Sequence, residues 1–405
     1  MLFLKKILSL IMAFYVFMSG NVFAKTVSSE CDITDIEKPF AEANVETKAQ
    51  IGTKLDIKAK SAILLEPYTG KILYEQNVDE KLPPASITKI MPLLLVMEAI
   101  ERGDLALETV VYASEHACSM GGSQIWLEPG EGMTVDELLK ATVIASANDA
   151  CVALGEAIAG SEEGFVELMN ERAKALGMNN THFVNCTGLD ADEHYTSAHD
   201  VALMSAALIK YPLIKKYSTV WMDSLRNGES ELVNTNKLVR FYKGTTGLKT
   251  GTTSKAKYCL SATAERDGME LVAVVLAGDS SDDRFSGAKK LLDYGFANYS
   301  FKEISGELAE KSVPLQNGVE KTVGVSCKGK VNVLLPKNSK GEITRETIWN
   351  KNIKAPIKKD DVLGYVNIYS SGEQIGKLPI TANEDVEKLT LWVTMRWILE
   401  GILTL

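Results

Sequence analysis

The sequence predicts an α+β fold, in which an antiparallel sheet with helices on both sides is followed by a small all-β sandwich domain. Two strand patterns begin the folded part of the chain, helical patterns fill its middle, and a strand hairpin with a helix closes it. This order is typical of an antiparallel sheet and unlike the regular strand-helix alternation of a doubly wound parallel sheet. After residue 300, short Val and Ile runs separated by Gly, Lys and Asn indicate a second domain made of strands.

The N-terminal 24 residues (1–24) are predicted to be a signal peptide. Lys5 and Lys6 precede an apolar run over residues 7–18, and Val22-Phe23-Ala24 fits a small-residue cleavage site. A retained membrane helix is the alternative, but the apolar run is short for a span of about 20 residues. Residues 25–53 are polar and weakly patterned, so they are predicted to form a linker. The sequence therefore predicts an exported protein.

The first domain is predicted to span residues 54–300. Its strands and helices are expected, in chain order, at residues 60–66 and 71–76 (strands), 86–103, 134–144, 149–159, 162–176 and 197–210 (helices), 247–252, 258–265 and 269–277 (strands) and 282–299 (helix). Alternating apolar residues predict the strands, and Asp267-Gly268 is a hairpin turn between the last two. Apolar residues three and four apart predict the helices. The second domain is expected over residues 301–383.

Two positions interrupt the helical patterns. Pro92 removes one backbone donor and crowds the carbonyl of Thr88, so the first helix is expected to kink or to begin near Thr88. The second and third helices are separated by Ser146-Ala147-Asn148, and side chains at such a break can point into a cleft. Pro212 is expected to end the fifth helix.

Composition restricts the classes of function. The net charge of −9 argues against nucleic acid as a partner, because phosphate binding needs clustered Lys and Arg. The sequence contains no complete G-x-x-x-x-G-K-[ST] and no C-x-x-C motif, so neither a nucleotide cofactor nor a zinc site is predicted. His194 and His199 lie near Asp190, Asp192 and Glu193, where a solvated acidic loop is favoured over a metal site.

The six cysteines leave the disulfide state open. An even count in an exported protein permits disulfides. However, Cys151 and Cys259 lie within apolar periodic stretches that are typical of small core residues. The pattern favours mostly free thiols.

Ser86-Ile87-Thr88-Lys89 places a hydroxyl and an amine three residues apart at a predicted helix start. Side chains at this spacing share one helix face, so the amine can reach the hydroxyl. A lysine that is partly desolvated can act as the base that activates the serine. The spacing alone is not specific, because Ser254 with Lys257 and Ser286 with Lys289 share it.

Two further motifs follow. In Ser146-Ala147-Asn148 the hydroxyl can pass protons and the carboxamide can hold a substrate amide, although an ordinary capping role is the alternative. Lys249-Thr250-Gly251 occurs once, at the start of the closing strands, where it can seat a carboxylate next to an accessible strand backbone. An edge strand with a solvated lysine is the alternative there. Ser-x-x-Lys, Ser-x-Asn and Lys-Thr-Gly in this order are the signature of serine β-lactamases and penicillin-binding proteins.

With these motifs, the chain resembles the low-molecular-mass penicillin-binding proteins, the S11 serine peptidases that act as D-alanyl-D-alanine carboxypeptidases. The likeness covers about residues 58–299 and is clearest in segments 84–91, 146–153, 180–183, 188–190 and 247–252. The region after Phe301 resembles, more loosely, the C-terminal β-sandwich domain of this family. The resemblance implies a β-lactamase/transpeptidase-like fold for the first domain.

The resemblance also implies roles for the site residues. Ser86 is expected to attack the carbonyl of the penultimate D-Ala of a peptidoglycan stem pentapeptide, with Lys89 as its base and Ser146 as the proton relay to the departing amine. The oxyanion is expected between the backbone N–H groups of Ser86 and Thr252. Substrate binding is assigned to Asn148, Lys249, Thr250, Gly251 and Thr252. β-Lactam antibiotics are expected to be covalent inhibitors, and no cofactor or metal is expected.

Residues 384–405 are predicted to form an amphipathic helix on the membrane surface. An arc of about 160° on the helical wheel contains Thr390, Thr394, Arg396, Glu400, Gly401 and Thr404. Val393 and Trp397 interrupt it. A spanning helix would bury Arg396 and Glu400, and packing onto the β domain is a further alternative. The protein is therefore expected at the outer face of the cytoplasmic membrane or in the cell wall.

Three other functions stay open. A β-lactamase on the same scaffold is disfavoured because residues 185–190 lack a Glu-x-x-x-Asn arrangement for deacylation, so only slow β-lactam turnover is expected. A DD-endopeptidase would cut the same bond within a crosslink. A non-catalytic wall-binding protein is disfavoured by the complete motif set.

Overall fold

The structure is a computed structural model that describes residues 55–338, 343–370 and 372–403. The predicted signal peptide (1–24) and linker (25–53) lie outside the described residues. The strands are β1 (Ala59–Glu66), β2 (Lys71–Gln76), β3 (Val110–Tyr112), β4 (Gly132–Thr134), β5 (Met222–Leu225), β6 (Ser230–Val233), β7 (Thr245–Thr253), β8 (Lys257–Arg266), β9 (Met269–Gly278), β10 (Tyr299–Ser305), β11 (Ser312–Pro314), β12 (Thr322–Ser326), β13 (Lys330–Pro336), β14 (Ile343–Trp349), β15 (Val362–Ser370) and β16 (Glu373–Ala382). The helices are α1 (Ile90–Arg102), α2 (Glu115–Cys118), α3 (Val135–Lys140), α4 (Asn148–Ala159), α5 (Glu162–Ala175), α6 (Ala198–Leu208), α7 (Pro212–Ser218), α8 (Leu238–Phe241), α9 (Ser281–Asn298) and α10 (Leu391–Leu403).

A five-stranded sheet in the order β2-β1-β9-β8-β7 forms the centre of the first domain, and every pair in it is antiparallel. Successive side chains of a strand point to opposite faces, so each strand can serve two cores. On β1, Ile63 and Leu65 pack with α1, α4 and α6, whereas Ala62 and Leu64 pack with α9. Helices therefore cover both faces of the sheet, and the predicted fold class is confirmed.

The segment that carries the predicted nucleophile Ser86 forms a 3₁₀ turn (Ala85–Lys89), the nucleophile turn, which runs directly into α1. Pro92 is the third residue of α1, within the first turn, where backbone N–H groups have no intrahelical acceptor. Of the two expectations for Pro92, a kink or a helix start near Thr88, the second is confirmed, because the α-helix begins at Ile90. The helix ends at Gly103 in the left-handed conformation, as glycine permits.

The second domain has its own core. Strands β11-β12-β16-β15-β14 form one antiparallel sheet and β10-β13 a second, and their apolar side chains, such as Val323, Val366 and Ile380, cluster together. This is the all-β domain that the sequence predicts. Leu334 of β13 instead packs into the core beneath α9.

The C-terminal helix begins later than predicted. Residues 383–390 run along the β domain, where Val386 bridges Ile357 and is buried in the core. The predicted helix start at residue 384 is therefore wrong, because residues up to Leu389 hydrogen-bond to the β domain and α10 begins at Leu391. Side chains of α10 at positions 391, 392, 395, 398 and 402 are exposed and apolar. Within the described part of the chain, no helix is long and apolar enough to cross a membrane.

Candidate active site

Ser86 lies on the 3₁₀ turn, which is pressed against strand β7. A Cβ atom at Gly251 would stand 2.9 Å from the carbonyl oxygen of Pro84 and 3.0 Å from the backbone nitrogen of Ile87. Glycine at this position therefore allows the turn and the strand to approach. Ala85 has a φ of 50°, a costly conformation for a residue with a side chain. The surrounding packing holds this backbone, which presents Ser86 partly exposed while Lys89 is fully buried.

The Lys89 amine makes three hydrogen bonds. Its Nζ lies 3.1 Å from Ser86 Oγ, 2.5 Å from Asn148 Oδ1 and 2.7 Å from the Thr187 carbonyl oxygen. Burial away from water lowers the pKa of Lys89, since desolvation disfavours the ammonium form. A lysine in this setting can take up the proton of the serine hydroxyl.

The second motif follows a change of helix type. Helix α3 continues as a π turn (Ala141–Ala145), and Ser146 then adopts a left-handed backbone with a φ of 65° before α4 begins at Asn148. This turn directs the buried Ser146 hydroxyl towards the third motif. The carboxamide of Asn148 accepts from Lys89 and donates to the Gly121 carbonyl oxygen over 2.6 Å. Both ends of this carboxamide are thus engaged by the protein itself.

Lys249 is buried, although β7 is the edge strand of the sheet. Its Nζ donates to Ser146 Oγ over 2.7 Å and to the Thr250 carbonyl oxygen over 3.2 Å. Burial, with the nearby charge of Lys89, lowers the pKa of Lys249 well below its ordinary value. The alternative of a solvated lysine is therefore wrong. Thr250 Oγ1 donates to Thr235 Oγ1 over 2.7 Å, and Thr252 is exposed.

Several residues around the site carry no motif. Asp149 accepts from the backbone nitrogens of Ile125 and Leu127, and so holds the loop that contains Gly121. In the sequence, Asp149 could be found only through its position directly after Asn148 of the second motif. Arg284, on α9, donates to the Gly251 carbonyl oxygen over 3.0 Å and to Thr252 Oγ1 over 2.9 Å. Arg284, like Thr187 and Thr235, reaches the site by tertiary packing, which no local pattern reports.

The histidine-rich segment differs from its prediction. His194 is buried, so its assignment to a solvated acidic loop is wrong. Its ring contacts Thr88 and Val184, because residues 182–195 fold against the nucleophile turn. Among the residues that the structure describes, no three His, Cys, Asp or Glu side chains form a possible metal site. The five described cysteines are free thiols, and Cys31 lies outside the described residues.

Comparison with known proteins places these motifs in a family. A family model described as D-alanyl-D-alanine carboxypeptidase matches residues 45–280, and one described as penicillin-binding protein 5, C-terminal domain, matches residues 304–388. D-alanyl-D-alanine carboxypeptidase DacF of Bacillus subtilis (strain 168) is 43% identical over 341 residues, which cover 83% of this chain and 88% of that protein.

Solved structures agree with this assignment. Penicillin binding protein 5 from Haemophilus influenzae superimposes with a TM-score of 0.72 at 29% identity, covering 83% of this chain and 100% of that one. Penicillin-binding protein D2 from Listeria monocytogenes, solved in the ampicillin-bound form, gives a TM-score of 0.55 at 32% identity over 60% of this chain and 100% of that one. The chain therefore belongs to the D-alanyl-D-alanine carboxypeptidase family, the S11 serine peptidases, and carries the C-terminal domain of penicillin-binding protein 5.

Proposed function

We propose that the protein is a serine-type D-Ala-D-Ala carboxypeptidase that removes the terminal D-alanine from peptidoglycan stem pentapeptides through an acyl-enzyme on Ser86. The observation that carries this proposal is the buried Lys89 amine, 3.1 Å from the partly exposed Ser86 hydroxyl. The family assignment and the relatives named as carboxypeptidases support the substrate class.

Acylation begins when Ser86 Oγ attacks the carbonyl carbon of the penultimate D-Ala and its proton passes to the neutral Lys89 amine. The lowered pKa of Lys89 supports this role, because a neutral amine has a lone pair for the proton. The backbone N–H groups of Ser86 and Thr252 are the proposed oxyanion donors. As the C–N bond breaks, Ser146, which accepts from Lys249, relays the proton that Lys89 took up to the leaving D-Ala amine, so that Ser146 keeps its hydroxyl and Lys89 is neutral again. Water then releases the acyl group.

The terminal carboxylate of the substrate is proposed to bind at Lys249 and Thr250. A carboxylate that approaches the buried Lys249 favours the ammonium form of this lysine, and the Thr250 hydroxyl can donate to the carboxylate. Gly251 leaves the strand backbone open beside the ligand. The Asn148 carboxamide is hydrogen-bonded to Lys89 and to Gly121, so its main proposed role is to hold Lys89. To contact the substrate's peptide amide as well, it must give up one of these hydrogen bonds.

β-Lactams are proposed to acylate the same serine, as mimics of the terminal dipeptide. The Listeria relative solved in the ampicillin-bound form supports this ligand class. Labelling with a fluorescent penicillin tests the nucleophile: wild type and Ser254→Ala should be labelled, and Ser86→Ala should not. Ser254 is a matched control because it shares the Ser-x-x-Lys spacing. An adduct that survives in Ser86→Ala would refute the assignment.

The substrate is tested with a stem pentapeptide and a crosslinked stem dimer. Release of free D-Ala from the pentapeptide is the expected main activity, with slower cleavage of the dimer. Faster cleavage of the dimer would instead establish a DD-endopeptidase. Rapid hydrolysis of penicillin, without a lasting adduct, would establish a β-lactamase.

The location is proposed to be the outer face of the cytoplasmic membrane, after export directed by residues 1–24. Helix α10 supports membrane contact, because its exposed apolar side chains at positions 391, 395, 398 and 402 share one face. The chain from residue 25 onwards should bind phospholipid vesicles in flotation assays, whereas a chain that ends at residue 390 should not. Equal flotation of the two proteins would exclude this role for α10.

A further inference from the structure

Residues 182–195 form a loop that closes on itself and on the nucleophile turn. At its neck, the backbones of His182 and Tyr195 exchange two hydrogen bonds, of 2.9 and 3.1 Å. At its tip, the Thr187 carbonyl oxygen accepts from Lys89. Between these points, Gly188 lies so close to Ala85 that no side chain fits there. The loop therefore supplies one of the three contacts that hold the Lys89 amine.

His194 joins this loop to the nucleophile turn through both ring nitrogens. Nδ1 lies 2.9 Å from the backbone nitrogen of Val184, and Nε2 lies 2.9 Å from Thr88 Oγ1. A backbone N–H can only donate, so Nδ1 must be the unprotonated, accepting nitrogen. The proton of the neutral ring is then on Nε2, which donates to the Thr88 hydroxyl.

The surroundings keep this ring neutral. His194 is 4% exposed, and its pKa is lowered to about 4, chiefly by burial. The nearby His182 contributes to this lowering, while Asp190 opposes it. Phe183 packs against the ring, with centroids 5.9 Å apart. Protonation at Nδ1 would set an N–H group against the Val184 N–H and break the link.

We propose that His194, neutral and protonated on Nε2, is a positioning residue that keeps Lys89 within reach of Ser86. One bond fixes Thr88, the residue directly before Lys89, and the other closes the loop that presents the Thr187 carbonyl. His194 thus acts on both the backbone that carries the Lys89 amine and one of its acceptors. This inference rests on the proposed roles of Ser86 and Lys89.

The test is the second-order rate constant of acylation by a fluorescent penicillin, measured from pH 4.5 to 8. His194→Ala should acylate at least tenfold more slowly. Its acylation rate should also begin to fall at a higher pH on acidification, because a Lys89 amine held less firmly regains part of its ordinary pKa. His194→Gln can place an amide donor near the Nε2 position and should recover at least fivefold over His194→Asn, whose shorter amide reaches only Val184. His182→Ala is the matched control: its ring bonds the Glu193 carbonyl at the same neck but does not contact Thr88.

The outcomes separate this inference from the proposed function. If the wild type is labelled but His194→Ala keeps the wild-type acylation rate and pH profile, the positioning role alone is overturned. The same holds if His182→Ala loses as much acylation rate as His194→Ala, or if His194→Gln and His194→Asn acylate at equal rates. Absence of labelling in wild type would refute the proposed function. Nitrogen-15 NMR of the histidine rings checks the tautomer in the wild-type protein: a proton on Nδ1 of His194 at pH 7 would overturn the inference whether or not the variants fold.

Discussion

Replacing Gly188 with alanine should both slow acylation of Ser86 and lower the free energy of unfolding. A Cβ atom at Gly188 would stand 1.9 Å from the Ala85 carbonyl oxygen and 2.8 Å from Thr88 Oγ1, with backbone φ at +85°. Real Cβ atoms keep at least 3.0 Å from such atoms, so the loop and the nucleophile turn must separate by about 1 Å. That displacement carries the Thr187 carbonyl away from Lys89 and shifts Ala85, and with it the backbone of Ser86, from its position.

The magnitude follows from two costs. A left-handed backbone with a side chain costs about 1–2 kcal/mol, and overpacking adds about 1–3 kcal/mol. The free energy of unfolding should therefore fall by about 2–5 kcal/mol, and the melting temperature by about 2–4 °C for each kcal/mol. A displacement of about 1 Å among reacting groups costs about a hundredfold in rate, so acylation by a fluorescent penicillin should slow by about that factor.

Gly177→Ala is the matched control. Gly177 also has a positive φ, of 75°, but a Cβ there meets nothing within 4 Å. This variant should lose only the backbone term of about 1–2 kcal/mol and acylate at the wild-type rate. Acylation of Gly188→Ala within threefold of wild type, in a sample shown to be folded, would refute the reasoning. An equal loss of rate in Gly177→Ala would refute it as well.

Two further predictions concern stability. The pKa of His194 is about 4 in the folded protein, against an ordinary histidine value of 6.5, so the unfolded chain binds a proton first as the pH falls. The contribution of this group to the free energy of unfolding is therefore complete above pH 6.5 and declines towards pH 4, by about 3 kcal/mol in total. Urea unfolding at pH 7 and 4.5 should show this component in wild type but not in His194→Gln, and identical pH dependence in the two would contradict it. Phe165→Ala should cost about 3–5 kcal/mol, because the buried Phe165 ring packs tightly over Gly155. Below its unfolding transition that variant should acylate within twofold of wild type, so a tenfold slower rate would show that the core contact reaches the site.

Local signals placed most elements of the first domain within a few residues. Glycine ends α1 at Gly103, and the Asp267-Gly268 turn joins β8 to β9, as short-range chemistry requires. The sequence pattern does not predict helix α7, because it assigns Pro212 only to the end of the preceding helix. Proline at the first helical position also favours a helix start, which is its role here. The short β3–β4 and β5–β6 ribbons have too few residues for a detectable period.

The sequence alone predicts the three motifs of the site and their order along the chain. It also predicts that they lie at a helix start, at a break between helices and on a strand. How those groups are partnered depended on the folded arrangement. Lys89 meets Asn148 and Thr187 across 59 and 98 residues, Lys249 meets Ser146 across 103, and Thr88 meets His194 across 106. Motifs record local backbone geometry, whereas these contacts depend on the packing of helices and loops onto one sheet. That is why the sequence predicts a solvated loop at His194, whereas in the structure this side chain lies buried against the nucleophile turn.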